Sequence, residues 1–402
     1  MRLAWFSPLP PIPSGISDYS AEILPFLAAR AEVTAFSERP RGLFRRVHPP
    51  PGVATARLNA YRPGDFDAAY FHLGNNPWHE FVYEAFLANP GIAVFHDFVT
   101  HHLVAHLMVE AGHQEDRYLD ILEAEHGEVG TKLFRLKRYG VATDFEKFLF
   151  PLAGYVAKRA AGIVVHSADS AEKMAELAPG VPVVVIPHHA GAPPASVAGV
   201  TREEARRRLK LPPEGFVVGH FGFITRPKQP EAVVNGFASL YAEDPDARLV
   251  LVGADNTGGG LDRMLVRLGL RDAVRHAGFV DLERFYLYLR AVDAVINLRY
   301  PSAGESSGTF ARALAEGKAT IVNNYGSFAE VPRDVTLKVE IDGPQGEQVA
   351  EHLVHLRRDA EFRQALAANA RAYAHDVLDP DRCRDLYLQF AGRVGRAANV
   401  PA

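Results

Sequence analysis

The sequence predicts an α/β fold with two Rossmann-like domains, each built on a parallel sheet. Short apolar runs of strand length alternate with longer segments of helical period along the 402 residues, a pattern typical of βαβ units. The alternation falls into two similar sets, and a stretch rich in Pro, Ala and Gly, 187–200, separates them. A chain of this length is expected to form two domains.

Each set contains six predicted strands. The first set is 3–7, 32–36, 68–71, 93–96, 162–166 and 183–186. The second set is 217–221, 248–252, 274–277, 294–298, 319–323 and 337–339. Helical period is clearest in 21–29, 230–242, 261–268 and 364–375.

These elements predict the domain limits. The first domain is expected over 1–190, with a polar helical insertion at about 100–147. A linker over 191–211 leads to a second domain over 212–375. The remaining residues, 376–402, are predicted to form a helix that packs back on the first domain.

Composition excludes several classes of protein. Hydrophobic residues make up 48% of the chain and charged residues 23%, as in ordinary globular proteins, and the net charge of −4 gives no reason to expect a nucleic-acid partner. The single cysteine, Cys383, excludes an intramolecular disulfide and fits a reducing compartment. Early prolines interrupt any signal-peptide core, and no apolar run reaches the ~18–20 residues of a membrane span. We therefore expect a cytoplasmic protein.

The loop after the first predicted strand disfavours a dehydrogenase. It is rich in proline and reaches Gly15 without the Gly-x-Gly-x-x-Gly spacing of a dinucleotide site. Open parallel sheets bind ligands at the carboxyl ends of their strands. Two such sheets facing each other would form a cleft suited to a small molecule.

The segment 300–332 is the most informative about that molecule. A loop of small residues carries one carboxylate, Glu305, and continues through Ser306, Ser307 and Gly308 into a helical run. Such a helix start offers unpaired N–H groups and a positive dipole end to a phosphate. A carboxylate beside it can accept hydrogen bonds from sugar hydroxyls, so the combination suggests a nucleotide sugar. An ordinary turn with a serine N-cap is the alternative interpretation.

Seven motifs in order carry a resemblance to a known family. They are the loop ending at Gly15, 90–97 with His96 and Asp97, 164–167, 220–228, 249–253, 276–280 and the Glu305 segment. Together they resemble the retaining glycosyltransferases of family 4, which have the GT-B fold of two Rossmann-like domains facing across a cleft. The motif 72–77, taken with His96 and Asp97, is similar to members that assemble bacterial polysaccharides.

The resemblance implies a donor site. Gly15 would allow the backbone to approach the donor diphosphate, Lys228 would neutralise that diphosphate, and Gly222 is a further donor-binding residue. Gly278, Phe279 and Val280 match a further donor-binding motif, as do Ser306, Ser307 and Gly308 at the helix start. Glu305 matches the first Glu of the family's Glu-x7-Glu motif, which lies near the sugar hydroxyls.

The chain departs from the family at two donor contacts. Phe223 stands where the family has Arg, and Arg226 is the candidate replacement. The second Glu of the motif, usually on the ribose, is replaced by Arg312 or Ala313, depending on the alignment. We expect Arg312 to pair with a nearby carboxylate such as Glu316, four residues further along the helix.

The resemblance also places residues of the first domain. His96 would lie near the transferred sugar and is a candidate catalytic residue with Glu305, Arg226 and Lys228. Asp18, Tyr19 and Asp97 are candidates for the acceptor side. The alternatives are that the His96 imidazole is bonded only to structural groups and that Asp18 or Tyr19 belongs to a helix start.

We expect neither a metal nor another cofactor. No Asp-x-Asp motif is evident for a metal in the loops assigned to the donor, so cations and helix N-termini would stabilise the leaving diphosphate. His101, His102 and His106 suggest a metal cluster at first sight. They lack a Glu-x-x framing and a third ligand, so this interpretation is not favoured.

Two basic, amphipathic runs suggest contact with a membrane surface. They are 132–138 and 39–46. The resemblance implies that such runs dock on anionic lipid when the acceptor is lipid-linked, here at the inner face of the membrane. A solvated helix face is the alternative.

The sequence therefore predicts a retaining, metal-independent hexosyltransferase. It would use a UDP- or GDP-sugar and a hydroxyl of a saccharide or lipid-linked saccharide, in cell-surface polysaccharide biosynthesis. One alternative is a catalytically silent sugar-nucleotide-binding protein. Another is a different GT-B enzyme, such as a nucleotide-sugar epimerase with carboxylate pairs or a phosphorylase with a pyridoxal-phosphate lysine; neither constellation is recognisable.

Overall fold

The computed structural model describes residues 1–38, 47, 49–112, 114–141 and 145–398. The chain divides into two compact units. The first is built from residues 1–189, Ala303–Ser306 and the segment that starts at Pro380, and the second from Ala190–Ser302 and Ser307–Asp379.

The described residues contain thirteen strands. They are β1 (Arg2–Phe6), β2 (Glu32–Phe36), β3 (Ala54–Ala56), β4 (Ala68–Leu73), β5 (Ile92–Phe95), β6 (Gly162–Val165), β7 (Val183–Val185), β8 (Val217–Phe221), β9 (Arg248–Val252), β10 (Val274–Gly278), β11 (Ala294–Asn297), β12 (Ala319–Asn323) and β13 (Thr336–Val339).

The same residues contain fifteen α-helices. They are α1 (Gly15–Ala28), α2 (Glu80–Ala88), α3 (His101–Ala105), α4 (Glu115–Arg138), α5 (Glu146–Leu149), α6 (Gly154–Ala157), α7 (Ala168–Leu177), α8 (Arg202–Leu209), α9 (Pro230–Glu243), α10 (Gly260–Arg267), α11 (Leu282–Ala291), α12 (Gly308–Ala315), α13 (Gln345–Arg358), α14 (Ala360–Val377) and α15 (Pro380–Ala398).

The first unit contains a seven-stranded parallel sheet in the order β3-β2-β1-β4-β5-β6-β7. Successive side chains along a strand point to opposite faces, and both faces are apolar. Phe6 and Phe71 join the core on one face, while Trp5 and Tyr70 join the core on the other. Helices α1 and α15 cover the second face, where Tyr387 is fully buried.

The second unit contains a six-stranded parallel sheet in the order β10-β9-β8-β11-β12-β13. Helices α9 and α13 pack together over one face, and α8 and α11 pack together over the other. Both sheets place the chemistry-bearing sequence motifs in the loops that follow their strands.

The fold class predicted from the sequence is confirmed, and three details differ from the expected elements. The short strand β3 was not predicted, since Ala54–Ala56 has no apolar run. Residues 202–209, assigned to a linker, form α8, which Thr201 caps by accepting a hydrogen bond from Glu204 N. Within 100–147, helix α4 is interrupted at Gly127, whose φ of 55° is not helical.

Candidate functional site

A row of three histidines lies at the carboxyl edge of the first sheet. His72 is on β4, His96 follows β5 and His166 follows β6, so three neighbouring strands contribute one ring each. Nδ1 of His72 is 2.9 Å from Nε2 of His96, and Nδ1 of His96 is 3.0 Å from Nε2 of His166. Nδ1 of His166 is 2.7 Å from the carbonyl oxygen of Ile186, after β7. The row therefore crosses the ends of four adjacent strands.

Burial keeps these histidines neutral. It lowers the pKa of His72 and of His96 well below the usual 6.5, and the neighbouring imidazoles lower both further. Burial also lowers the pKa of His166 to about 4. A fourth ring, His79, donates to the carbonyl oxygen of His72 at 2.8 Å and has a pKa lowered by burial to about 4.

His96 was expected to contact the transferred sugar through its imidazole. Both of its ring nitrogens instead bond to histidines, and only 6% of the residue is exposed. Its backbone N–H is also used, in a bond to the carbonyl oxygen of Leu73. The expected role is therefore corrected from a direct side-chain contact to a fixed part of the strand edge.

Tyr19 covers the row and does not face solvent. It is 1% exposed, its ring lies 4.8 Å from that of His96, and its hydroxyl is 2.7 Å from the hydroxyl of Tyr387. The expectation that Tyr19 faces an acceptor is therefore wrong. The residue forms part of the core between α1 and α15.

Asp97 holds the adjacent loop. Its carboxylate accepts a hydrogen bond from the backbone N–H of Asn75 at 2.8 Å. The Asn75 side chain in turn bonds to Nδ1 of His102 at 2.6 Å and accepts from the backbone N–H of Leu103. The predicted acceptor-side residue thus ties the loop after β4 to the loop after β5.

The start of α1 leaves open space beside it. Ser14 caps the helix by accepting from the backbone N–H of Ile16, and Gly15 is the first helical residue. A Cβ added at Gly15 would meet no protein atom within 4 Å. Packing within the protein therefore does not require this glycine, which leaves room for a ligand to approach the backbone. Asp18 is exposed one helical turn further on.

The loop that carries Glu305 groups with the first unit. The carbonyl oxygen of Ala303 accepts from Val99 N at 2.8 Å, and that of Gly304 accepts from Ser170 Oγ at 3.2 Å. Gly304 has a φ of +81°, and a Cβ there would lie 2.4 Å from Cβ of Phe98. These contacts fix the backbone next to Glu305, which is half-buried.

In the second unit, three strand-end loops are joined by backbone hydrogen bonds. Gly222 N donates to the carbonyl oxygen of Val252, and Gly253 N donates to that of Gly278, each at 2.8 Å. The loops after β8, β9 and β10 therefore form one continuous edge.

The glycine in the first of these loops makes room for a lysine. Gly222 has a φ of +91°, a conformation that side chains disfavour, and a Cβ there would lie 2.1 Å from Nζ of Lys228. That ammonium group donates to the carbonyl oxygen of Phe221 at 2.9 Å. The same Cβ position is 3.9 Å from Oγ1 of Thr309, so the lysine and the start of α12 are neighbours.

Helix α12 begins at Gly308, close to the side chain of this lysine. Ser307 caps it, accepting from the backbone N–H of Phe310 at 3.2 Å and donating to Oδ1 of Asn297 at 3.3 Å. The hydroxyl of Ser307 is therefore used by the protein, and the first N–H groups of the helix carry the positive dipole end. A cation and a helix N-terminus together form a phosphate-binding arrangement.

Two exposed groups flank this arrangement. Arg226 is exposed on a short 3₁₀ turn that also contains Lys228. Phe223 and Phe279 are 46% and 68% exposed, and their rings stack with centroids 6.4 Å apart. Gly278 has a φ of +69° with open space at its Cβ position, and the half-buried Val280 follows Phe279.

The carboxylate of Glu316 is bonded to an arginine, which disfavours it as a ribose ligand. Its carboxylate accepts from Nε and Nη2 of Arg290, at 2.9 and 3.1 Å. The guanidinium of Arg312, a residue 9% exposed, lies 6.0 Å from the ring centroid of Phe285. The described contacts thus give Glu316 a structural partner, Arg290, instead of the predicted Arg312.

Sequence reasoning did not assign roles to His72, His166 or Thr309. Each of the first two lies at or next to the carboxyl end of an apolar strand, as His96 does, and that recurrence was the available signal. Thr309 carried no signal, since it is an ordinary residue inside a helix.

The three histidines considered for a metal have separate partners. His101 bonds to the carbonyl oxygen of Phe150 and to the hydroxyl of Tyr118 at 2.6 Å, and His106 pairs with Glu110 at 3.0 Å. Among the residues that the structure describes, no three His, Cys, Asp or Glu side chains are grouped as metal ligands.

The end of the insertion exposes apolar and basic side chains together. Leu136, Tyr139, Val141, Phe145 and Leu149 are all exposed, Tyr139 by 84%. Lys132, Arg135 and Arg138 are exposed on the same part of α4. We call these eight residues the α4–α5 surface. The other predicted basic run, 39–46, lies outside the described residues. None of the helices in the described ranges combines the length and apolar character that crossing a bilayer requires.

Residues 201–373 match the family described as "Glycosyl transferases group 1". For these residues, which make up most of the second unit, the match confirms the resemblance to a glycosyltransferase family that the sequence indicated.

Curated relatives match over part of their length. A D-inositol 3-phosphate glycosyltransferase of Salinispora arenicola is 32% identical over 180 residues, which are 42% of this chain and 40% of that protein. The alpha-monoglucosyldiacylglycerol synthase of Acholeplasma laidlawii is 25% identical over 236 residues, 57% of this chain and 58% of the synthase. The chain thus spans about two fifths to three fifths of the length of these relatives.

A solved structure matches nearly the whole chain. HepE of Anabaena, in complex with UDP and glucose, aligns over 98% of this chain and 100% of its own, with a TM-score of 0.65 and 18% identity. This similarity establishes the GT-B fold.

Proposed function

Because residues 201–373 match the group 1 glycosyl transferases, we propose that this chain transfers a hexose from a UDP- or GDP-sugar to a hydroxyl of a saccharide or lipid-linked saccharide. The observation that carries the proposal is the close approach of Lys228 to Gly222 and to the start of α12. A left-handed glycine, a half-buried ammonium group and a helix N-terminus suit the diphosphate of a nucleotide sugar.

The second unit would stabilise the leaving group. As the bond between the anomeric carbon and the diphosphate oxygen breaks, negative charge grows on the diphosphate. The ammonium of Lys228 and the first N–H groups of α12 would offset that charge without a metal ion. Arg226, which is exposed, would add a weaker attraction that salt screens.

The first unit would hold the sugar and the acceptor. Glu305 would accept hydrogen bonds from sugar hydroxyls, and the space beside Gly15 would admit the diphosphate. In the retaining reaction that we propose, the acceptor oxygen bonds to the anomeric carbon on the face that the diphosphate leaves. The departing phosphate oxygen takes the acceptor proton, so no carboxylate nucleophile is needed.

The test is donor binding followed by donor turnover. HepE was solved with UDP and with UDP-glucose, which makes UDP-glucose the first donor to test, beside GDP and ADP sugars. We expect one nucleotide sugar to raise the melting temperature selectively, because a ligand that binds the folded state stabilises it. We also expect nucleotide release to increase on addition of a saccharide acceptor.

Glu305→Gln separates catalysis from folding. The substitution keeps the shape and removes the charge, so turnover should fall more than the free energy of unfolding. Glu283→Gln, at an exposed glutamate of α11, is a matched control and should leave both unchanged. Unchanged kinetics in a folded Glu305→Gln protein would remove Glu305 from the proposed site.

A silent sugar-nucleotide-binding protein is the second candidate. Phe223 replaces a family arginine, and Glu316, the nearest carboxylate to the missing ribose ligand in sequence, is occupied by Arg290. Such a protein would bind a nucleotide yet release none above background, with every acceptor tested.

We also propose that the acceptor side includes an anionic membrane surface, through the α4–α5 surface. Exposed aromatic and aliphatic side chains next to cations suit the interface of a lipid bilayer. The name of the Acholeplasma relative points to a lipid product, which makes a lipid-linked acceptor worth testing first.

Vesicle flotation tests this surface. The protein should float with phosphatidylglycerol vesicles, less with phosphatidylcholine, and less at high salt. Tyr139→Ser with Phe145→Ser should reduce flotation, whereas Val266→Ser, at an exposed valine of the second unit, should not. Equal flotation of all three proteins would exclude the α4–α5 surface.

A further inference from the structure

We infer that His72 and His166 are positioning residues, which hold His96 as a neutral ring in a single tautomer at the edge of the first sheet. The inference about tautomers stands on the geometry of the row. Its consequence for catalysis rests on the proposed function.

The direction of the hydrogen bonds follows from one end of the row. The carbonyl oxygen of Ile186 only accepts, so Nδ1 of His166 carries a proton. In a neutral ring Nε2 of His166 then accepts, which requires a proton on Nδ1 of His96. By the same step, Nε2 of His96 accepts from a protonated Nδ1 of His72.

The other end of the row agrees with this order. The last ring, His72, is left with a bare lone pair on Nε2, and that atom is buried without a hydrogen-bond partner. A bare acceptor is what the chain of donors predicts there. The indole ring of Trp5 packs against this imidazole, with ring centroids 4.0 Å apart and the planes inclined by 35°. One carbonyl oxygen thus sets the proton positions of three rings.

Simple packing does not account for the row. Burying three imidazoles between apolar strand ends costs desolvation that aliphatic side chains would avoid, and none of the three is exposed by more than a tenth. Two of these hydrogen bonds join side chains from neighbouring strands and the third joins His166 to the backbone after the next strand, so the row fixes the spacing and rotation of the strand ends. A buried network in which every bond between the rings is formed favours one arrangement of the strand ends.

The row restricts the movement of the strand end at His96 and Asp97. A rotation of the His96 ring would break a bond to His72 or to His166, so the ring cannot turn without cost. Asp97, the next residue, bonds to the loop after β4. The row therefore holds in place the strand end that carries Asp97 and follows the loop after β4, and we infer that the transferred sugar lies near this strand end.

Substitutions at His166 separate positioning from packing. In His166→Gln, the side-chain oxygen can accept from Nδ1 of His96 while the amide N–H donates to Ile186, which keeps the proton order. In His166→Phe neither bond is possible. His101→Gln is the control, since His101 is a buried histidine of the same unit that also bonds through both nitrogens but lies outside the row.

The first measurement is the tautomer, which needs no activity. Long-range ¹H–¹⁵N spectra of histidine-labelled protein should assign the Nδ1–H form to His72, His96 and His166 near neutral pH. The His96 signal should keep this form in His166→Gln and leave it in His166→Phe. An Nε2–H signal from His96 in the parent protein would overturn the inference.

The second measurement is turnover of the donor. His166→Phe should lower kcat by about 10- to 100-fold with little change in KM, because misplaced groups slow the reaction without abolishing binding. His166→Gln should recover most of that loss. Little loss in His166→Phe with a larger loss in His166→Gln would show that ring packing matters and the bonds do not, and would overturn the positioning role. A parent protein with the expected tautomers but no turnover would refute the proposed function and leave the row established.

Discussion

The strand ends of the first unit and those of the second differ in what their polar groups contact. In the first unit, the rings of His72, His96 and His166 form hydrogen bonds with one another inside the protein. In the second, Lys228 and the start of α12 direct positive charge at a loop that a glycine keeps open. Similar parallel sheets thus carry a neutral, buried edge in one unit and a cationic, accessible edge in the other. The comparison teaches that sheet architecture fixes where a site lies, whereas side chains at the strand ends fix which charge it accepts.

Acid provides the largest test of this difference, because it should destabilise the first unit more than the second. Burial lowers the pKa of His166 and of His79 to about 4, and that of His72 and His96 well below 6.5. As the pH falls from about 6.5 towards 4, these histidines therefore bind protons in the unfolded chain but not in the folded unit. Stability is complete above this window and declines through it, by ~1.4 kcal/mol per pH unit for each histidine.

Tryptophan fluorescence can follow the first unit alone. The chain has two tryptophans, Trp5 and Trp78, and both belong to that unit. Between pH 7 and pH 5, the denaturant midpoint by fluorescence should fall more than the midpoint from hydrogen exchange of second-unit peptides. Buried His220, with a pKa lowered to about 3 by burial, gives the second unit a smaller response. Equal shifts of the denaturant midpoint in the two units would contradict the expected difference in their stability to acid.

Arg312→Glu should have the next largest effect. The substitution places a carboxylate at a position only 9% exposed, which costs about 3–5 kcal/mol when a buried charge lacks its partner. Thermal unfolding should show the loss, and Arg312→Met, which keeps the volume without charge, should lose less. If Arg312→Glu instead binds a nucleotide sugar more tightly, position 312 is a lost ribose ligand.

Lys228→Ala should weaken the cationic edge without unfolding it. Removing a cation from a partly buried phosphate site costs about 1–3 kcal/mol, or roughly 5- to 150-fold in donor affinity. Isothermal titration with the nucleoside diphosphate and with its sugar checks this. Lys210→Ala, at an exposed lysine of the same unit, is the control. Donor affinity equal to that of the parent would show that the diphosphate binds elsewhere.

Arg226→Ala should have the smallest effect. The sequence assigned this arginine a role equal to that of Lys228, but its side chain is exposed and solvent screens its charge. We expect less than about 1 kcal/mol at physiological salt and a larger loss at low salt. A loss as large as that for Lys228→Ala, independent of salt, would show that the bound donor covers Arg226.

Much of the fold could be predicted because buried parallel strands are continuous apolar runs. Strands β2, β8, β9 and β12 have the bounds that the sequence indicated. Strand β3 escaped prediction because an edge strand of three small residues needs no apolar run. Helix α8 escaped because its mostly charged sequence resembles a linker, although Arg206 is fully buried against Asp293.

The site was predictable where local sequence sets it and not where distant strands meet. Gly222 and Lys228 lie in one sequence motif and Ser307 lies in another, and their roles in a loop and a helix cap follow from residue type within each motif. The histidine row depends on strand order, which places β4, β5 and β6 side by side. Tyr19 was assigned to the acceptor side because nothing local reveals that Tyr387, far along the chain, lies against it.

The first unit is built from separate segments of the chain, and this affects how it folds during synthesis. Its core beneath α1 contains Cys383, Tyr387 and Phe390 from α15, which the ribosome makes only after the whole second unit. Until then, Tyr19 and Tyr70 face a gap that only the later helix fills. The second unit, whose described core lies within one nearly continuous stretch, can fold while the first still waits. A nascent chain in which the second unit is complete but α15 is not yet made would expose an apolar face of the first unit. We therefore expect a chaperone to bind this face until α15 packs on it.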